Sequence, residues 1–320
     1  MSKPDFIICA PLRNARESNG ILALVSLAHS IEKAGRTVQI CVTGSFPDEG
    51  VAHRVDFDSY VPHNDVERQF IEDTLEVRDR YGLRLLKDFS PQTIESSYVI
   101  YPEVILDNPL NATKVIRYFG NKNGILKEGA MVNIGPDDFV LAHSKMIDPS
   151  AHHVAFFARQ DPLFHNAGTH PTADRKLDIT YIGKGVLYGV GGTVPNTLAL
   201  TRSWPTEKAQ LAMLLRNCRF FYTGDAWSNI NVEALACGAV PVFLHNGPWT
   251  DEEIDGTELG ALPRVSRNTG NTSDPSFFKK FDVRRTRFLN QVKTVEREWD
   301  QRVAELIEKA DDHFAVTAAA

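Results

Sequence analysis

The stretch Tyr222-Thr-Gly-Asp-Ala-Trp-Ser-Asn-Ile-Asn-Val-Glu-Ala-Leu-Ala-Cys-Gly-Ala-Val-Pro-Val-Phe243 decides how this chain folds. Residues 219–222 are a short aromatic run with strand character, followed by a turn of small residues. Ser228 and Asn229 are residue types that favour a helix start. Helical composition then runs to Gly238, and 239–244 is a Val-rich run that reads as the next strand. Strand, helix, strand is one βαβ unit of a parallel sheet. Two acids stand in it with seven residues between them, Asp225 in the turn and Glu233 in the helix. Such a junction gathers unpaired N–H groups and a positive dipole end, which suits an anion. The acids add carboxylates that accept hydrogen bonds from hydroxyls. The reading is a sugar-nucleotide pocket, with phosphate at Trp227, Ser228 and Asn229, ribose at Glu233, and donor sugar near Asp225. The plain alternative is an ordinary crossover with two solvent-facing acids.

Working outward, 320 residues are enough for two α/β domains of ordinary size. Residues 5–12, 21–34 and 37–43 read as strand, helix and strand, which opens a doubly wound sheet. Residues 65–87 read as a charged helix, 97–105 as a strand, 112–119 as a helix and 139–143 as a strand. An N-terminal domain over 1–150 follows. The His- and Pro-rich segment 151–176 reads as an interdomain crossing. A second domain over 177–284 starts at a strand at 177–183, has a helix at 207–217, and ends in a turn-rich stretch, 251–282. Residues 285–320 are a C-terminal helix with Phe288, Val292, Val295, Trp299, Val303 and Ile307 on one stripe. A dimerising coiled coil is the alternative for that stripe.

The net charge of −6, with both signs interspersed, gives no basis for a nucleic-acid partner. The four cysteines lack metal or disulfide spacing and read as buried thiols in a reducing compartment. Met1-Ser-Lys-Pro-Asp5 leads into a strand rather than a signal peptide. A cytoplasmic protein is expected, with attachment to the inner face of a membrane left open.

The central stretch resembles the retaining GT-B glycosyltransferases of the family 4 type, whose C-terminal domain carries Glu-x7-Glu and an exit similar to Glu-Ala-Met-Ala-Cys-Gly-x-Pro-Val. This chain has Asp225 through Glu233 at that spacing, then Glu-Ala-Leu-Ala-Cys-Gly-Ala-Val-Pro-Val. It departs in having Asp225 for the first Glu, and Ala226-Trp227-Ser228 for Gly-Phe-Gly. Tyr101-Pro-Glu-Val-Ile-Leu-Asp-Asn-Pro-Leu-Asn-Ala112 is similar to a segment of bacterial polysaccharide glycosyltransferases. The resemblance implies two Rossmann-like domains facing a cleft, the C-terminal helix returning to the N-terminal domain, and a nucleotide-sugar donor. The acceptor would be a glycan or lipid-linked glycan, and no other cofactor is implied. A non-catalytic sugar-nucleotide-binding subunit and a sugar-nucleotide 2-epimerase remain as alternatives.

Further candidates follow from position. Gly183-Lys184-Gly185 ends the second domain's first strand, where ligands bind in doubly wound sheets. Lys184 there is expected to neutralise a leaving diphosphate, against the alternative of a solvated turn lysine. Arg202 is the second cation and Trp204 a surface on which a base can stack. Glu103 and His143, at strand ends of the first domain, can orient or deprotonate an acceptor hydroxyl; His143 reads equally as a structural histidine. The loop 13–20 sits where related enzymes have a Gly-rich loop. Asp56-Phe-Asp58 matches a metal-binding Asp-x-Asp but lacks an apolar strand before it. His152, His153, His165 and His170 lack zinc spacing, so no metal site is expected.

Overall fold

The computed structural model describes residues 3–12, 18–44, 52–126, 130–266 and 275–317. The expectation for the loop 13–20 falls largely outside them. The chain divides into two compact units, one of residues 1–157 with 298–320, the other of residues 158–297. The first boundary therefore falls at Phe157, several residues after 150.

Unit 1 contains β1 (Phe6–Ala10), α1 (Asn19–Lys33), β2 (Val38–Val42), α2 (Asp65–Tyr81), α3 (Pro91–Ser96), β3 (Tyr98–Pro102), β4 (Lys114–Phe119), β5 (Phe139–Ala142) and β6 (His153–Val154). The six strands form a sheet in the order β2-β1-β3-β4-β5-β6, every pair parallel. Alternate residues of β1 feed opposite cores: Phe6, Ile8 and Ala10 on one face, Ile7 and Cys9 on the other. Both faces are covered, as a parallel sheet requires.

The helix expected at 112–119 is strand β4. Ala112, Val115, Ile116 and Phe119 imitate a helical stripe, but the strand buries both of its faces, Val115 in one core and Ile116 and Tyr118 in the other. Asn111 turns the chain into it with φ 55°.

Unit 2 contains β7 (Leu177–Tyr181), β8 (Leu198–Leu200), α4 (Lys208–Asn217), β9 (Cys218–Thr223), α5 (Ile230–Ala236), β10 (Val240–Phe243), α6 (Asp251–Asp255), β11 (Val265–Ser266) and the start of α7 (Pro275–Thr317). Its sheet has the order β11-β10-β9-β7-β8, also parallel throughout. The chain steps from β7 to β8 on one side, then returns to build β9, β10 and β11 on the other. The winding thus reverses between β7 and β9, the place where such sheets bind ligands at their strand ends.

The long helix begins at Pro275 rather than 285. Within unit 1, its Trp299, Val303, Leu306, Ile307 and Phe314 join the core of β1, β2 and α1. Ser30 donates to Asp300 at 2.6 Å and the Tyr98 hydroxyl to Asp311 at 2.6 Å. These contacts assign the Trp299, Val303 and Ile307 part of the stripe to the core of this unit, while Phe288, Val292 and Val295 are buried along the part of the helix that belongs to unit 2. Two doubly wound Rossmann-like units and a long C-terminal helix are therefore present, the elements that the GT-B expectation names.

The Cys237-Gly238 exit of the motif has a packing reason. Gly238 has φ 84°, and a Cβ there would lie 2.9 Å from the Arg175 guanidinium. Arg175, buried, donates to the carbonyls of Cys218 at 2.9 Å and Cys237 at 3.0 Å. It thereby satisfies the Cys237 carbonyl at the end of α5 and the Cys218 carbonyl at the end of α4. All four cysteines are free and buried. Burial pushes the thiols of Cys9, Cys218 and Cys237 up, away from the reactive thiolate.

Candidate functional site at the switch point of unit 2

The ends of β7 and β9 lead into two turns that touch through glycines. A Cβ on Gly185 would lie 2.6 Å from the carbonyl oxygen of Gly224, and one on Gly183 would lie 2.8 Å from an Asp225 carboxylate oxygen. Gly183 also has φ 55°, which side-chain-bearing residues rarely adopt. Glycine at 183 and 185 is thus what lets the 3-10 turn Gly183–Tyr188 lie against the Asp225 turn. The Gly224 N–H donates to the Tyr181 carbonyl at 2.9 Å and ties the two strand ends together.

Asp225 is 3% exposed. Its Oδ2 accepts from the Lys184 backbone N–H at 3.0 Å, and its Oδ1 lies 3.7 Å from the Lys184 ammonium. That ammonium donates to the Trp227 carbonyl at 2.9 Å. Lys184, Asp225 and Trp227 are thus brought together, with the lysine side chain only 15% exposed. It is a strut within the turn, not the solvated lysine of the plain alternative.

Asn231, fully buried, donates from one amide to the carbonyls of Asp225 at 2.9 Å and Ala226 at 3.1 Å. The sequence reading missed this residue. Its place between the two acids of the motif was the available signal. Trp227 stacks on Trp249 with ring centroids 4.6 Å apart, so its bulk is used in packing the turn against the loop after β10.

Glu233 lies in the first turn of α5 and is half-buried. Burial pushes its carboxyl up to about 7, while the Lys208 charge and a hydrogen bond from Asn229 at 3.1 Å pull it down. Asn229 therefore serves Glu233 and makes no side-chain cap for α5. Ser228 accepts from Asn231 through its carbonyl at 3.1 Å.

Arg202 stands near Tyr181. Burial raises that phenol first and Asp225 further, while Arg202 lowers it and Glu233 adds a smaller rise. Asp225, Arg202 and Glu233 thus all act on the Tyr181 phenol, a coupling not read from the sequence. Trp204 is 39% exposed, and its carbonyl closes a turn by accepting from Thr201 at 3.0 Å.

The first-domain candidates belong to unit 1. Both oxygens of Glu103 are engaged, by the Gly120 N–H at 3.0 Å and the Asn121 amide at 2.8 Å. This carboxylate clamps the turn after β4, which is a different task from the acceptor base expected of it. His143 Nδ1 faces the Phe157 N–H at 3.4 Å and the Tyr118 hydroxyl at 3.3 Å, with its ring 4.3 Å from Phe156. Lys87 bridges Asp56 and Asp58, and Arg78 also pairs with Asp58. Those cations occupy the Asp-x-Asp pair. Among the described residues no cluster of His, Cys, Asp and Glu is arranged to hold a metal ion.

No family model matches the chain, and no curated protein does. Solved structures similar to it are glycosyltransferases. The glycosyltransferase VinC, in complex with dTDP, is 13% identical, with 96% of this chain and 99% of that one covered at a TM-score of 0.40. The spinosyn rhamnosyltransferase SpnG, complexed with thymidine diphosphate, is 11% identical, with 96% and 99% covered at 0.38. The glycosyltransferase SnogD from Streptomyces nogalater is 13% identical, with 98% and 99% covered at 0.38. Likeness this distant leaves the functional reading to the residues of the chain itself. Among the described residues no helix is long and apolar enough to cross a membrane.

Proposed function

We propose that this chain is a glycosyltransferase of the family 4 type, moving a sugar from a nucleotide donor to a glycan or lipid-linked glycan, with retention and without a metal. One observation supports this above the others: a buried carboxylate, an ammonium and close-packed glycines meet at the switch point of unit 2, with a second, desolvated carboxylate on the next helix. In this reading Asp225 positions the donor sugar and Glu233 accepts from the ribose hydroxyls. Lys184, with Arg202 near Tyr181, brings positive charge to the leaving diphosphate. Negative charge grows there as the glycosidic bond breaks, so fixed cations stabilise the transition state more than the bound donor. The reading also includes a cytoplasmic enzyme that meets its acceptor at a membrane surface.

Glu233 binds ribose as a carboxylate, yet its carboxyl is raised to about 7. Donor binding then releases a proton and tightens as pH rises towards 7 and above. The test is thermal shift against nucleotide sugars and free nucleoside diphosphates, since a ligand of the native state raises the midpoint by mass action. A nucleotide sugar should raise the midpoint of the wild type, more at pH 8 than at pH 6, and less in Glu233→Gln. No shift with any of them sinks the proposal.

A second reading, a binding subunit without turnover, draws on the Lys184 ammonium already being engaged by Trp227 and Asp225. A clear thermal shift without hydrolysis or transfer would favour it.

A further inference from the structure

We infer that the exposed face of the first turns of α7 docks on an anionic lipid surface. Lys279, Lys280, Arg284 and Arg287 are all exposed there, and none of them has an ion-pair partner among the described residues. At the helical spacing of 100° per residue they span an arc of about 140°. Val283 sits inside that arc and is 61% exposed. The opposite side of the same turns, with Phe281, Arg285 and Phe288, is buried in unit 2. The only acid of these turns, Asp282, lies off the arc and pairs with Arg285 at 3.1 Å.

A chain with a net charge of −6 thus gathers unpaired cations around an exposed aliphatic side chain. A polar, cationic helix face with an apolar insert fits the headgroup region of an anionic bilayer.

The neighbouring groove argues for a surface over a small free anion. A groove of about 870 Å³ lies beside Arg284 and Arg287, with Leu262, Pro263 and Phe288 in its lining. Its lining also carries Asp251, Asp255 and Glu258, and Arg264 in the same lining is already held by Asp251 and Asp255. A small anion entering the groove meets these acids together with Arg284 and Arg287 alone, whereas a planar anionic surface laid on the exposed face can meet all four cations at once. The inference rests on the membrane-surface part of the proposed function and not on the transfer reaction, so the two fail separately.

The test is co-sedimentation of the full chain with phosphatidylcholine vesicles, with and without phosphatidylglycerol. Wild type should bind the anionic vesicles at low salt, release as ionic strength rises, and ignore the neutral ones. Cations near an anionic surface contribute about fivefold each to partitioning. Replacing Lys279, Lys280, Arg284 and Arg287 together by Gln should therefore weaken binding on the order of 10²–10³-fold, with the thermal midpoint preserved. Val283→Asp should weaken it as well. A control with the same charge change elsewhere, Lys33, Arg68, Arg80 and Lys176 to Gln, should bind as wild type does. The inference is overturned if wild type does not bind anionic vesicles at low salt. Equal loss in the control, or tighter binding to duplex DNA than to the vesicles, overturns it too.

Discussion

The two sheets of this protein reverse their winding at equivalent places, between β1 and β3 in unit 1 and between β7 and β9 in unit 2, yet the polar groups at those places have different fates. After β3, Glu103 is held by Gly120 and Asn121. The Tyr101 hydroxyl donates to Asn108 at 2.8 Å and accepts from the Leu110 N–H at 3.1 Å. Arg117, buried on β4, is bound to Asp138 at 2.8 Å and to the Asp107 carbonyl at 2.8 Å. These groups shape loops. After β7 and β9, Lys184 and Asp225 also support one another, but Glu233 keeps a carboxyl raised to about 7 beside a single amide donor among the described residues. Burial also raises the Tyr101 phenol of unit 1, but that hydroxyl is engaged both as donor and as acceptor, so the raised Glu233 carboxyl is the better marker of a candidate functional site. Topology supplies a crevice in both units, and what distinguishes them is how much hydrogen-bonding capacity the local loops leave over.

The sharpest way to break this contrast is at the glycines of unit 2. Gly185→Ala drives a Cβ to within 2.6 Å of the Gly224 carbonyl, backbone against backbone. It should cost about 3 kcal/mol, in the upper range for overpacking, and abolish nucleotide-dependent thermal shift. Gly189→Ala, with φ 73° but no atom within 4 Å, should cost only about 1 kcal/mol. Equal losses in urea unfolding would mean that the close approach of the two turns is unimportant.

A medium effect is expected at Glu233, and its sign is unusual. The native state holds this proton up to about pH 7 while the free carboxyl loses it near 4.5. The folded protein therefore binds more protons across that window, and stability falls as pH rises through it. Glu233→Gln removes the penalty. At pH 8 the variant should be more stable than wild type by about 3 kcal/mol, with the difference gone below pH 4.5. Denaturant unfolding across that range checks it, and a variant less stable at pH 8 would assign Glu233 a structural role comparable to that of Glu103.

The smallest change belongs to unit 1. Glu103→Gln keeps an acceptor for the Gly120 N–H and weakens the contact to Asn121, so about 1 kcal/mol should be lost. Nucleotide-sugar affinity should not change. A fall in turnover at unchanged stability would return Glu103 to the acceptor side of the reaction.

Much of this was legible in the residues. Alternating strand and helix patterns announced parallel sheets, because βαβ connections impose that order on the chain. The Asp225–Glu233 spacing and the Cys-Gly exit pointed to one βαβ unit, since turn and helix-end chemistry is local. Helical periodicity failed at 112–119, because a strand buried on both faces has no alternation to display. Other features came only from contacts distant along the chain. The engagement of Lys184 by Trp227, the clamp formed by Glu103, the two carbonyls held by Arg175 and the raised carboxyl of Glu233 each join residues brought together by folding. A side chain's type sets what it can bind. Its desolvation and its partners, which are properties of the packed chain, set what remains free to bind a ligand.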